Sequence, residues 1–253
     1  MELSLLLLLT GLSFLAGFID SIAGGGGLIL LPALLLAGVG PQAALGTNKF
    51  GSIFGTAIAL ANFVRHDKVI WRIAGFGLAF SLLGSALGTK AILAVAPETT
   101  AKIILFLLPI TAILTFVPKG RTKSAISDFS KRDLYVATPL LCLVIGFYDG
   151  FFGPGTGTFL IFGFYLFVGL NLIHASAVAK VFNLASNLSA FVTFALAGKV
   201  LYGIGLPIAL ANLAGGYLGS RLAIRRGQHF IQAFLLLVFG LLFCTLAYRI
   251  WYK

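Results

Sequence analysis

Acidic side chains are scarce in this sequence: there are seven in 253 residues, and charged residues of both signs make up only 10%. A soluble domain of this size carries about 25%, so an ordinary soluble domain is excluded. Cysteine is scarce as well. Cys142 and Cys244 both lie in apolar runs, and neither has a CxxC or metal-ligand spacing. That argues against a disulfide scaffold or a thiolate metal site, and both read as packing residues. What fills the chain instead is hydrocarbon, with 59% of residues hydrophobic.

The apolar residues come in long blocks, at 3–19, 43–64, 73–87, 103–117, 134–147, 191–197, 201–218 and 230–251. Two shorter ones lie near 28–37 and 158–168. A crossing of the hydrocarbon layer takes about 20 mostly apolar residues. The expected fold is therefore an all-α polytopic membrane protein with eight full spans, or ten if the short blocks count. A barrel would show short alternating segments instead. The opening MELSLLLLLTGLSFLAGF has an acid, Glu2, where a signal peptide carries basic residues, and it reads as the first membrane helix.

The net charge of +11 does not call for nucleic acid. Most basic residues fall between apolar blocks: Arg65, Lys68 and Arg72; Lys119, Arg121, Lys123, Lys131 and Arg132; Arg221, Arg225 and Arg226. Such residues hold loops on the cytoplasmic side. A multi-pass protein of the bacterial plasma (inner) membrane is expected.

The chain is also written twice. GFIDSIAGGGGLIL from Gly17 lies over GFYDGFFGPGTGTF from Gly146. DKVIW from Asp67 lies over GKVLY from Gly198, and GSALGTK from Gly84 over GGYLGSR from Gly215, both at an offset of 131. The expected organisation is one membrane domain made of repeat 1 (1–118), a polar linker (119–133) and repeat 2 (134–253). Each repeat has about four long helices and a short helix set off by a glycine break. Gly84 and Gly88, like Gly215 and Gly219, are small residues four apart that let membrane helices approach closely. Counting Lys and Arg does not distinguish parallel from inverted copies. Inverted copies are favoured, because paired broken segments recur in inverted-repeat transporters.

Of the seven acids, only Asp20 and Asp149 sit within apolar segments, and they are equivalent in the two copies. Lys49 and Lys180, 131 residues apart, are the matching interior bases. A charge at the bilayer centre costs about 2.5–3.5 kcal/mol on insertion scales, so it needs a partner or a cavity. Two readings follow. The acids pair with the lysines and hold the fold together, or the four charges surround a substrate site. The glycines favour the second. A helix that starts inside the membrane leaves its first N–H groups unbonded and partly positive. Gly24, Gly25, Gly26 and Gly27 in one copy, and Gly153, Gly155 and Gly157 with Thr156 in the other, leave those groups bare. Two such helix starts with two lysines suit a small oxyanion. Each acid and its glycine run are expected to face the lysine of the next long helix.

That long helix adds a polar stripe. Ser176, Lys180, Asn183 and Asn187 share one face in the second copy. Lys49, Ser52 and Thr56, with Thr47 and Asn48 beside them, share the matching face in the first. The stripe reads as a cavity lining. His174 reads as a boundary residue, and Tyr148, Phe151 and Phe152 read either as closing the site or as packing.

AGFIDSIAGGGGL, ALGTNK, GFYDGFFGPGTGTF and HASAVAKVFNLASN resemble the sulfite exporter TauE/SafE family, and most closely its YfcA-like bacterial inner-membrane branch. The resemblance spans nearly the whole chain. It implies a transporter, in the direction of export, for a small anion such as a sulfur oxyanion or organosulfonate. Alternating access is the expected mechanism, with Asp20 and Asp149 either neutralising the empty site or exchanging a proton when the anion binds, and no enzymatic activity is expected. The alternatives are an anion channel and, from another class, an intramembrane aspartyl hydrolase built on Asp20 and Asp149. Expected partners are the small anion and the lipid bilayer, without nucleic acid, metal or cofactor. Self-association into a homo-oligomer is left open.

Overall fold

The computed structural model describes residues 2–115 and 130–251, with side-chain surroundings for all but 109, 112–115 and 228–251. Most of the expected linker, and the setting of Cys244, lie outside these. The described residues form helices without strands: α1 (Leu3–Ala23), α2 (Gly27–Leu36), α3 (Pro41–Arg65), α4 (Trp71–Leu93), α5 (Pro97–Thr115), α6 (Thr138–Phe151), α7 (Thr156–Gly163), α8 (Leu172–Leu196) and α9 (Tyr202–Trp251). A π-helical turn, Asp133–Ala137, leads into α6, and another, Phe164–Val168, extends α7. α9 is bent at Gly227, whose φ of 71° is not helical.

The local chemistry explains several boundaries. Pro41 opens α3 with its φ already set for a helix. Asn171 caps α8, its side-chain oxygen accepting from the His174 N–H at 3.0 Å. Gly24 ends α1 at φ 77°, ψ 163°, while its N–H donates to Asp20 O.

By length and apolarity, four described helical segments can cross a membrane: Leu3–Ala23, Trp71–Leu93, Asp133–Phe151 and Leu172–Leu196. These are four of the eight or ten expected, counted over the described residues. α3 is long enough at 25 residues, but its polar stripe lowers its apolarity. α2 and α7 are too short to span unaided.

The most extensive packing joins elements far apart in sequence, α4 with α6 and α1 with α9. Their contacts also give direction. Ser13 Oγ donates to Ile208 O at 2.8 Å, Gly17 lies against the Asn212 backbone, and Gly219 lies against Phe18. Numbers rise together along both helices, so α1 and α9 are parallel. α4 and α6 are parallel by the same logic, with Gly77 against Cys142, Gly146 against Ser81 and Gly88 against the Phe147 and Phe151 backbone. α3 and α9 are parallel too, through Gly51 with Ile208, Gly55 with Asn212 and Asn62 with Ser220. α3 and α8 run oppositely. Gly46 meets Phe194, Lys49 meets Asn187, and the Lys68 carbonyl beyond the end of α3 meets His174 near the start of α8. So α1, α3 and α9 point one way, and α4, α6 and α8 the other.

The short helices turn back into the core. Leu30, Leu31 and Leu34 of α2 cluster with Leu9 and Ala16 of α1. Leu160 and Ile161 of α7 cluster with Cys142 and Phe182, and Phe164 stacks on Phe182 with centroids 5.2 Å apart. Ser81 and Ser85 of α4 tie it to α8 by donating to Phe182 O at 2.9 Å and Ser186 O at 2.6 Å. Ser85→Ala removes one such bond without adding bulk. Thermal unfolding of the purified protein is expected to show a loss of about 1 kcal/mol.

Candidate functional site

The two glycine breaks meet. Gly24 lies against the backbone of Gly157 and Thr158, and a Cβ on Gly157 would stand 2.8 Å from Gly24 Cα. Thr158 Oγ1 donates to Ala23 O at 2.9 Å and pins one break to the other. The contact needs glycine on both sides, and it brings the starts of α2 and α7 side by side in the protein interior.

A small cavity lies at this junction, lined by Asp20, Asp149, Lys49 and polar groups of α3, α7 and α8. Of the sixteen residues expected at the site, eleven line it, and Ser52 of the α3 stripe joins them. Gly24, Gly25, Gly26, Thr47 and Lys180 do not line it. The first three shape the break behind Gly27. Thr47 Oγ1 instead accepts the Leu201 N–H at 3.1 Å. Thr56 and Ser176 are buried off the cavity, each with a hydroxyl oxygen that lacks a partner. A water's centre has about 20 Å³ to move in, the room of one water or little more. A sulfur oxyanion needs the walls to part.

The ion pairs cross between the halves. Lys49 Nζ on α3 is 2.6 Å from Asp149 Oδ1 on α6, and Lys180 Nζ on α8 is 3.4 Å from Asp20 Oδ2 on α1. This corrects the expectation that each acid faces the lysine of the helix that follows it. α6 packs on α4 and α1 on α9, and α3 and α8 lie antiparallel between them, so each lysine reaches the other half's carboxylate.

The two pairs are unequal. Lys49 and Asp149 have side chains 3% and 2% exposed, and Lys49 also donates to Asn187 Oδ1 at 3.1 Å. Asp149 Oδ2 and Asn48 Oδ1 are buried without a hydrogen-bond partner. Lys180 is fully buried and Asp20 is 21% exposed. Lys180 Nζ also donates to the Asp20 backbone carbonyl, and Asp20 Oδ1 accepts the Gly26 N–H at 3.4 Å.

The sequence reading leaves Tyr148 between two roles, and the structure gives it a definite one. Its hydroxyl donates to Pro154 O at 2.6 Å and bonds Thr111 Oγ1 at 2.9 Å, fastening the second break to α5. The first copy has Ile19 at the equivalent place, so comparing the copies gives no signal for this bond. His174 Nδ1 bonds Lys68 O at 2.8 Å, away from the cavity lining.

A family model described as Sulfite exporter TauE/SafE matches residues 9–246. The chain belongs to the TauE/SafE family. Among relatives, "Probable membrane transporter protein ORF9" of Sinorhizobium sp is 39% identical over 230 residues, covering 89% of this chain and 86% of the relative. A "Probable membrane transporter protein" of Haemophilus influenzae is 38% identical over 248 residues, covering 97% and 96%. "Probable membrane transporter protein YfcA" of Escherichia coli is 33% identical over 240 residues, covering 93% and 87%. No solved structure matches the chain significantly. This TauE/SafE protein is thus a membrane transport protein by family, with its buried charges gathered where the two breaks touch.

Proposed function

We propose that this protein exports a small anion, a sulfur oxyanion or organosulfonate, across the bacterial inner membrane by alternating access between two inverted copies, 1–118 and 134–253. The observation that carries the reading is the meeting of the two helix starts beside Lys49. N-termini of broken helices aim partial positive charge at anionic groups, and a lysine there adds a full charge. Support for inverted copies comes from the directions of equivalent helices. α1 runs opposite to its counterpart α6, α3 to α8 and α4 to α9, and the close glycine contacts of Gly84 and Gly88 on α6 are repeated by Gly215 and Gly219 on α1.

In the cycle, the Lys–Asp pairs hold the empty site neutral and closed. An arriving anion takes the place of a carboxylate on Lys49, and rocking of one copy against the other exposes the site to the opposite side. A cavity with room for about one water favours such a carrier over an open channel. Each carboxylate is held by a lysine, whereas an aspartyl hydrolase needs two carboxylates sharing a proton.

The test is flux into proteoliposomes of sulfite, sulfate, thiosulfate and methanesulfonate. At least one is expected to move with saturable kinetics, and Lys180→Ala is expected to reduce that flux at least tenfold. Absence of flux for all four, or full flux in both Lys49→Ala and Lys180→Ala, overturns the proposal.

A further inference from the structure

The four interior charges sum to zero, and the lysine that borders the cavity is already neutralised by Asp149. Adding a bare anion leaves a net buried charge, which is costly in a low-dielectric interior. A cation must come with it. Asp149, which lines the cavity, has a buried carboxylate oxygen to receive it, Oδ2, without a hydrogen-bond partner.

We infer that Asp149 is the proton-carrying group of the cycle, so that one proton crosses with each singly charged anion; this rests on the anion-transport reading of the same site. A proton from solution adds to Oδ2, and the carboxylate becomes a carboxylic acid. The Lys49 ammonium loses its counter-charge and takes the anion. The cavity is neutral before the step and neutral after it. On the far side the anion leaves, the proton departs from Oδ2, and Lys49 returns to Oδ1.

Asp20 is the twin in sequence but not in setting. Both of its carboxylate oxygens are engaged, Oδ2 by Lys180 and Oδ1 by the Gly26 N–H, and Lys180 does not border the cavity. No N–H of the second break bonds Asp149 Oδ2. Gly153 N–H donates to Tyr148 O and Thr156 N–H to Gly153 O, while the Tyr148 hydroxyl holds Pro154. The titratable groups around Asp149 are Lys49 from α3, Asp20 from α1 and Tyr148 on its own helix, with Lys180 of α8 behind Asp20. The neighbours from α4, Ser85 and Thr89, are uncharged. Lys49–Asp149 is thus the working pair, and Lys180–Asp20 holds the first break.

The experiment uses full-length protein in proteoliposomes, with methanesulfonate, sulfate and thiosulfate as probes because their charge is constant near neutral pH. One proton per singly charged anion means that a gradient of one pH unit, alkaline inside, drives about tenfold accumulation of methanesulfonate, and at least that of sulfate or thiosulfate when the potential is clamped at zero. For methanesulfonate, a potential set by potassium and valinomycin has no effect. Asp149→Asn loses the response to pH, whereas whatever flux Asp20→Asn retains still follows it. Flux that ignores the pH gradient, methanesulfonate accumulation that follows the potential, or a pH response that survives Asp149→Asn overturns the inference and leaves anion transport standing. Flux of none of these probes, nor of sulfite, overturns both. Wild-type flux that ignores the pH gradient overturns the inference even if Asp149→Asn fails to fold.

Discussion

Lys49→Ala is expected to cost about 3–5 kcal/mol of stability and to stop anion flux. The magnitude follows from what the lysine leaves behind. Asp149 is 2% exposed and its Oδ2 has no partner. Without the ammonium 2.6 Å from Oδ1, a carboxylate remains buried with neither oxygen satisfied. Lys180→Ala is expected to cost less, because Asp20 is 21% exposed and can be hydrated. The double variant Lys49→Met with Asp149→Asn removes both charges and is expected to regain most of the stability while staying inactive. Thermal unfolding of the purified protein, read beside proteoliposome flux, checks all three. A loss below about 1 kcal/mol for Lys49→Ala would show that the pair is not sealed from water.

The second large effect is expected at the junction of the breaks. Gly24 has φ 77° and ψ 163°, a region open in practice only to glycine, and strain there costs about 1–3 kcal/mol. A Cβ would also enter the backbone of Gly157 and Thr158, and overpacking adds about 1–3 kcal/mol. Gly24→Ala is therefore expected to lose about 2–6 kcal/mol, or to push α7 away and abolish transport. Gly38 supplies the control. Its φ is 80°, but nothing lies within 4 Å of its would-be Cβ, so Gly38→Ala carries only backbone strain of about 1–2 kcal/mol. Equal losses at the two positions would mean that the breaks do not touch in the membrane.

Much of this site was legible before any coordinates, because duplication filters the charges. Asp20 and Asp149, and Lys49 and Lys180, stand out as two matched pairs in apolar surroundings. The polar stripe on α3 and α8 was legible from helical spacing, and it brings Asn48, Lys49, Ser52, Asn183 and Asn187 to the cavity. The pairing itself was not legible. Whether Lys49 meets Asp20 or Asp149 depends on the relative direction of α3 and α8 and on which helices α1 and α6 choose as neighbours, and no local pattern encodes either. Gly84 and Gly88 announce a close helix contact, yet nothing in their spacing names α6 as the partner. The short helices are legible in the sequence as well: α2 and α7 are too short to span unaided, and they fold back beside their neighbours.

The swapped embrace of α1 with α9 and α6 with α4 has a consequence for how the molecule is made. Ser13 finds its partner, the Ile208 carbonyl, 195 residues further along the chain. At about 5–20 residues per second, the ribosome needs about 10–40 seconds to deliver it. Through that interval the first helix waits in the bilayer without the neighbour that covers it. Neither half completes its own packing during synthesis, so assembly is a late, concerted event, and any escort of the nascent chain must hold α1 until α9 arrives.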